Sequence, residues 1–206
     1  MLFIGRIRIS PYPMFISYVI TDGGATYGDT YHRIKETIQP GDILLVKRYG
    51  KLNNLFLPTF YVHSGIYIGD SEENGKERIV HSMTPNGVQL TDLISYIETH
   101  ELAIVRPGID KEKIDKAIKK SLELCGNKFD YNFTLKNKEK DGKKDRRYYC
   151  AELVADVFAE YIEELGWTPT PKTSWYFRKT GFTPDDFLPG ENSKTKLIFR
   201  NRIRVE

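Results

Sequence analysis

Cysteine is scarce in this 206-residue chain, which holds only Cys125 and Cys150. Two cysteines exclude a disulfide framework and a thiolate metal quartet, leave room for one disulfide at most, and point to a reducing, cytoplasmic setting. Long apolar runs are missing as well. No window approaches 18 uninterrupted apolar residues, and the N-terminal MLFIGRIRIS places Arg6 where a secretion signal needs its apolar stretch, so neither a signal peptide nor an integral membrane segment is expected. Charge of one sign is lacking too. Lys and Arg number 31 against 28 Asp and Glu, a formal +3, which excludes the strongly basic balance of a dedicated nucleic-acid binder. Only residues 136–147 are markedly basic, with seven positive against three negative side chains, and they read as a solvated loop that could meet anionic head groups or carboxylates. Internal repeats, low-complexity tracts and Gly/Ser linkers are absent, and no cofactor motif or metal-ligand spacing is present.

What remains is an ordered α+β chain. The segments LFIGRIRI and FISYVIT read as β-rich, and YHRIKETI as a short helix. DILLVKR is a buried strand, and VHSGIYIGD with ERIVHSM, joined by SEENGK, forms a hairpin. GVQLTDLISYIETH gives a strand and a helix, ELAIVRP a strand, and KLIFRNRIRV a last strand. The spacing of Ile114, Ala117, Ile118, Leu122 and Cys125 predicts an amphipathic helix over 110–125, and that of Cys150, Leu153, Val154, Val157, Phe158, Tyr161, Ile162 and Leu165 predicts another over about 149–165. The expectation is a single domain over 1–206, with a core of about 40–188 and an N-terminal extension over 1–39.

Chemistry enters at the start of the second long helix. Cys150 opens its apolar face, where unsatisfied backbone N–H groups and the helix dipole favour a thiolate and offer donors to an oxyanion. Cys125 ends a helix on an apolar stripe and reads as core filling. A nucleophilic thiol needs a base, and the hairpin supplies candidates. If Gly69 faces Glu77, paired residues sum to 146, so Gly65 faces His81 and His63 faces Met83. His63 and His81 are then diagonal neighbours on one face, about 7 to 8 Å apart at the backbone, with Gly65 leaving room between them. One imidazole can act as base while the other fixes its tautomer. His32 and His100 read as solvent-facing. Glu152 reads equally as a helix-start acid or a site residue, and Asp130 and Tyr131 as possible cleft neighbours.

Taken in order, GDILLV, HSGIYIGD, IVHSMTPNGVQLTDL, FDYNF, YCAELV and FTPDDF resemble the circularly permuted branch of the NlpC-type papain-like cysteine hydrolases, the YiiX-like permuted amidases. Unlike the ordinary order, His63 precedes Cys150, here by 87 residues. The hairpin also resembles lecithin retinol acyltransferase. The resemblance implies an antiparallel β-sheet or barrel packed on the Cys helix, with Cys150 as nucleophile, His63 as base, His81 as orienting residue, and no cofactor. It implies an acyl-thioester enzyme acting on a cell-wall peptide or a lipid-derived acyl group. The alternatives are a lipid acyltransferase and a non-catalytic lipid- or peptide-binding module. LNNLFLPTFY before His63 and Trp175, Tyr176 and Phe177 after the Cys helix lean toward an apolar acyl chain. Oligomeric state is not legible.

Overall fold

The apolar runs from Ile43 onward become the strands of one sheet. In the computed structural model, which describes residues 7–8, 17–18, 28–47, 59–70, 76–131, 138–140, 143–171 and 181–202, the elements run in chain order as follows. A small ladder of β1 (Ile7–Arg8) and β2 (Ser17–Tyr18) precedes α1 (Gly28–Thr37). Next come β3 (Ile43–Lys47), β4 (His63–Asp70), β5 (Glu77–Met83), β6 (Gly87–Asp92), α2 (Leu93–Ile97), β7 (Glu101–Arg106) and α3 (Lys111–Glu123). Two-residue β8 (Lys128–Phe129) pairs in parallel with β11 (Arg147–Tyr148), and between them β9 (Lys138–Lys140) pairs with β10 (Lys143–Asp145). The chain closes with α4 (Cys150–Val157), α5 (Ile162–Leu165), a 3₁₀ turn at Pro184–Phe187 and β12 (Lys196–Arg202).

Six strands form an antiparallel sheet in the order β12-β7-β3-β4-β5-β6. Among the described residues it is an open sheet with β12 and β6 at its edges, so of the expected sheet or barrel the sheet is what forms. Both faces are covered, which is why β3 reads as a continuous apolar run rather than an alternating one. One face packs Ile43, Leu45, Ile66, Val80 and Val105 against Ala151, Leu153 and Val154 of α4 and Phe158 just after it. The other packs Leu44, Val46, Tyr67, Ile79 and Ile104 against Ile34 and Ile38 of the N-terminal helical region and Leu93, Tyr96 and Ile97 of α2. Elements on either side of residues 40–188 thus build the sheet layers: α1 before, β12 after.

Several local readings change. The helix expected over 149–165 is broken: α4 ends at Val157, a 3₁₀ turn spans Ala159–Tyr161, and α5 is a single turn. Gly166 ends it in a left-handed conformation, φ 69°, where a β-carbon would lie 2.2 Å from the Asn192 carbonyl oxygen. On α3, Leu122 is exposed, while Leu124 and Cys125 pack on the core just beyond the helix. The basic stretch contains the short β9–β10 ladder, so it is not all loop.

Candidate active site

Register decides what the hairpin can do. Gly65 pairs with His81, Ile66 with Val80 and Tyr67 with Ile79, as the 146 sum requires. The premise behind that sum is corrected, however: a bulge follows Tyr67, and Gly69 pairs with Arg78 rather than Glu77. His63 Nε2 and His81 Nδ1 stand 2.9 Å apart with one hydrogen between them, and His81 Nε2 is 2.8 Å from Thr91 Oγ1 on β6. His81 is buried and His63 partly so. The space over Gly65 is filled by other side chains, since a β-carbon there would meet Ile79 Cγ2 at 2.7 Å and Tyr96 Oη at 2.9 Å. Tyr96 uses that access to wall both imidazoles, its ring centroid 5.6 Å from that of His63 and 5.3 Å from that of His81. Neither imidazole can swing far against such a wall.

The neighbouring residues on the opposite face of the two strands reach the Cys helix. Ser82, after His81, donates its hydroxyl to the Tyr148 carbonyl oxygen at 2.6 Å, two residues before Cys150. Ser64, after His63, presents its backbone N–H and its hydroxyl to the Cys150 sulfur. The described β4–β5 pairs begin at Gly65 and His81, while on its other side Ser64 pairs with Leu45 of β3. Local sequence sets the helix start. Tyr149 is extended, and the buried Glu152 caps the helix, its Oε2 accepting the Tyr149 N–H at 3.4 Å.

Helix start does not mean thiolate here. Burial pushes the Cys150 thiol above the ordinary cysteine range, while the N–H groups of Ser64, Ala151 and Cys150 itself and the Ser64 hydroxyl pull it back only in part. The expected lowering by the helix terminus is therefore reversed, because removal of the sulfur from water outweighs the donors. Cys125 is also pushed up by burial, and its S–H donates to the Ser121 carbonyl oxygen at 3.7 Å. Both cysteines are free thiols.

The remaining candidates have contacts of their own. Asp130 is buried and donates its backbone N–H to the Tyr148 carbonyl oxygen, and Tyr131 packs edge-on against Phe129. His32 is exposed, whereas His100 is half-buried. Of the apolar segment before His63, residues 52–58 lie outside the described residues, as do Trp175, Tyr176 and Phe177. Tyr61 is core, not cleft. The Asp185 carboxylate accepts the N–H groups of Phe60 and Tyr61 at 2.5 and 2.8 Å, so the TPDDF motif clamps the chain entering β4. Thr91, Tyr96, Ser64, Ser82 and Asp185 went unselected in the sequence. Only Asp185, inside a Thr183–Asp186 capping box, carried a local signal.

Comparison with known proteins bears on this arrangement. The family described as "Permuted papain-like amidase enzyme, YaeF/YiiX, C92 family" matches residues 37–178, a span that includes His63, His81 and Cys150. No curated protein matches the chain. Among solved structures, the metalloprotein yiiX from Escherichia coli O157:H7 is similar, with a TM-score of 0.57 and 18% identity over 81% of this chain and 99% of its own. That likeness is one of fold. The likeness of the hairpin to lecithin retinol acyltransferase has no counterpart in these findings.

Proposed function

This chain belongs to the permuted papain-like amidases, a family of cysteine hydrolases of amide bonds, and from that premise we propose that it forms an acyl-thioester on Cys150, with His63 as general base and His81 as the residue that orients it. Two observations support the reading: Ser64 meets the Cys150 sulfur, and on the other face of β4 the preceding residue, His63, has its Nε2 held by His81. The family match over residues 37–178, which spans Cys150, His63 and His81, joins them.

The raised thiol pKa sets the order of events. Because the resting sulfur is S–H, its proton leaves as attack begins, and His63 Nδ1, the nitrogen away from His81, takes it. Sulfur then bonds to the amide carbon, and the oxygen gains charge beside the Cys150 N–H. On collapse, the C–N bond breaks and the amine leaves with the proton from His63. Water, deprotonated by the same imidazole, then attacks the thioester and releases the carboxylic acid and the thiol. An alcohol or amine in place of water would give acyl transfer.

The substrate is a cell-wall peptide or a lipid-derived acyl group, and amidase membership favours the peptide. The solved neighbour is called a metalloprotein, but a metal does not fit this set of residues. Among the described residues no three His, Cys, Asp or Glu converge, and the facing nitrogens of His63 and His81 are spent on each other and on Thr91. Intact-mass spectrometry after incubation with muropeptides and with acyl lipids tests the proposal. A thioester mapped to Cys150 is expected, and the substrate that leaves it identifies the class. Release of product with no dependence on Cys150, or neither adduct nor product from any of them, overturns it and favours a binding module.

A further inference from the structure

The two histidines end on a hydroxyl, and the hydrogen count along that line gives the hydroxyl a role. Each neutral imidazole has one N–H and one lone pair. For His63 to accept a proton at Nδ1, its own hydrogen has to sit on Nε2, where it is donated across the 2.9 Å contact to His81 Nδ1. His81 then carries its hydrogen on Nε2, directed at Thr91 Oγ1, 2.8 Å away. The reverse arrangement runs the hydrogens the other way. Thr91 donates to His81, His81 donates to His63 Nε2, and the His63 hydrogen lies on Nδ1, where it blocks proton acceptance. Once His63 has become an imidazolium, only the first arrangement exists, because both of its nitrogens then carry hydrogen.

We propose that Thr91 is a positioning residue that accepts the His81 Nε2–H and so holds His63 in the tautomer, and later in the imidazolium form, that proton transfer from Cys150 requires. This rests on the reading of Cys150 and His63 given above. Two further features support it. His81 is only 3% exposed, so water does not readily replace a missing acceptor. Register also fixes the hydroxyl. Thr91 pairs with Ile79 on β5, two residues before His81 on the same face, and so reaches the ring on the diagonal. Tyr96 closes the ring's other approach.

Thr91→Val keeps the shape and removes the acceptor, and Thr91→Ser restores it. In Thr91→Val, kcat falls by about tenfold to a hundredfold with KM unchanged, because the orphaned N–H is worst when His63 is charged. Thr91→Ser recovers kcat to within about threefold, since one retained hydroxyl supplies the same bond. Nitrogen-15 chemical shifts of His63, read in a Cys150→Ala background at a pH where the ring is neutral, move from the Nε2–H toward the Nδ1–H form in Thr91→Val and return in Thr91→Ser. Unchanged His63 shifts in Thr91→Val, or a Thr91→Ser enzyme as slow as Thr91→Val, overturn the proposal. Turnover that survives Cys150→Ala sinks the nucleophile assignment instead and leaves the tautomer result standing.

Discussion

The two cysteines sit at opposite ends of two helices, and the contrast isolates what the backbone does to a thiol. Both are partly buried, and burial pushes both thiols upward. Cys125 follows the C-terminus of α3, where the orphan groups are carbonyls, and its S–H donates to one of them, so its environment holds the proton in place. Cys150 begins α4, where the orphan groups are N–H donors, and Ser64 adds two more from β4. Desolvation is common to both sites. Only the sign of the surrounding dipoles differs, and only at Cys150 does the environment improve as the proton leaves.

The largest effect that can break this comparison is on turnover. Cys150→Ala is expected to lower kcat/KM by at least about a thousandfold, whereas Cys125→Ala leaves it unchanged and costs only about 1 kcal/mol of stability. Equal losses in hydrolysis assays would mean that position in the helix does not distinguish the two. His63→Ala comes next, at about a hundredfold to ten-thousandfold in kcat, because a raised thiol pKa leaves little thiolate unless a base removes the proton. A rate in His63→Ala that equals the parent would mean that the donors around the sulfur suffice by themselves.

The same contrast marks what the sequence made legible. Alternation in HSGIYIGD and RIVHSM put His63 and His81 on one face, and the pairs from Gly65 to Tyr67 match the expected register even though the bulge at Ile68 moved Gly69 off Glu77. An error in the loop did not propagate, because burial on both faces fixes the centre of the hairpin independently of its turn. Local sequence also marked Cys150 as a helix start. The desolvation of its sulfur was not legible, since that depends on β4 and the chain before α4 closing over it, contacts more than 60 residues apart in sequence. Thr91, Tyr96 and Ser64 were missed for a related reason. Each is an ordinary strand or helix residue until strand order brings β6, α2 and β4 together.

Alkylation sharpens the comparison without a substrate. With iodoacetamide near pH 7.5, Cys150 is expected to label before Cys125, and both rates should still be climbing above about pH 9.5, where a free cysteine of pKa about 8.5 levels off. The sign follows from the raised pKa values: less thiolate at neutral pH than in an unperturbed cysteine, and a plateau displaced upward. Peptide mapping of the two labels against time and pH decides it. Cys125 labelling first would show that access, not backbone polarity, governs these thiols.

The smallest effect separates reactivity from stability at Ser64. Its hydroxyl is fully buried beside the Cys150 sulfur and makes no hydrogen bond in the resting fold, so it contributes little to stability. When Cys150 loses its proton, the same hydroxyl becomes a donor to a buried anion, and its value rises because charge-assisted bonds are roughly twice as strong as neutral ones. Ser64→Ala removes an unsatisfied polar group and a thiolate donor in one step. The thermal midpoint should therefore stay level or rise slightly. Alkylation of Cys150 at pH 7.5 should slow by about threefold to tenfold, with the curve displaced to higher pH, while Cys125 is unaffected. A Ser64→Ala protein that melts several degrees lower and labels Cys150 at the parent rate would make Ser64 a packing residue and leave the backbone N–H groups as the whole difference between the two cysteines.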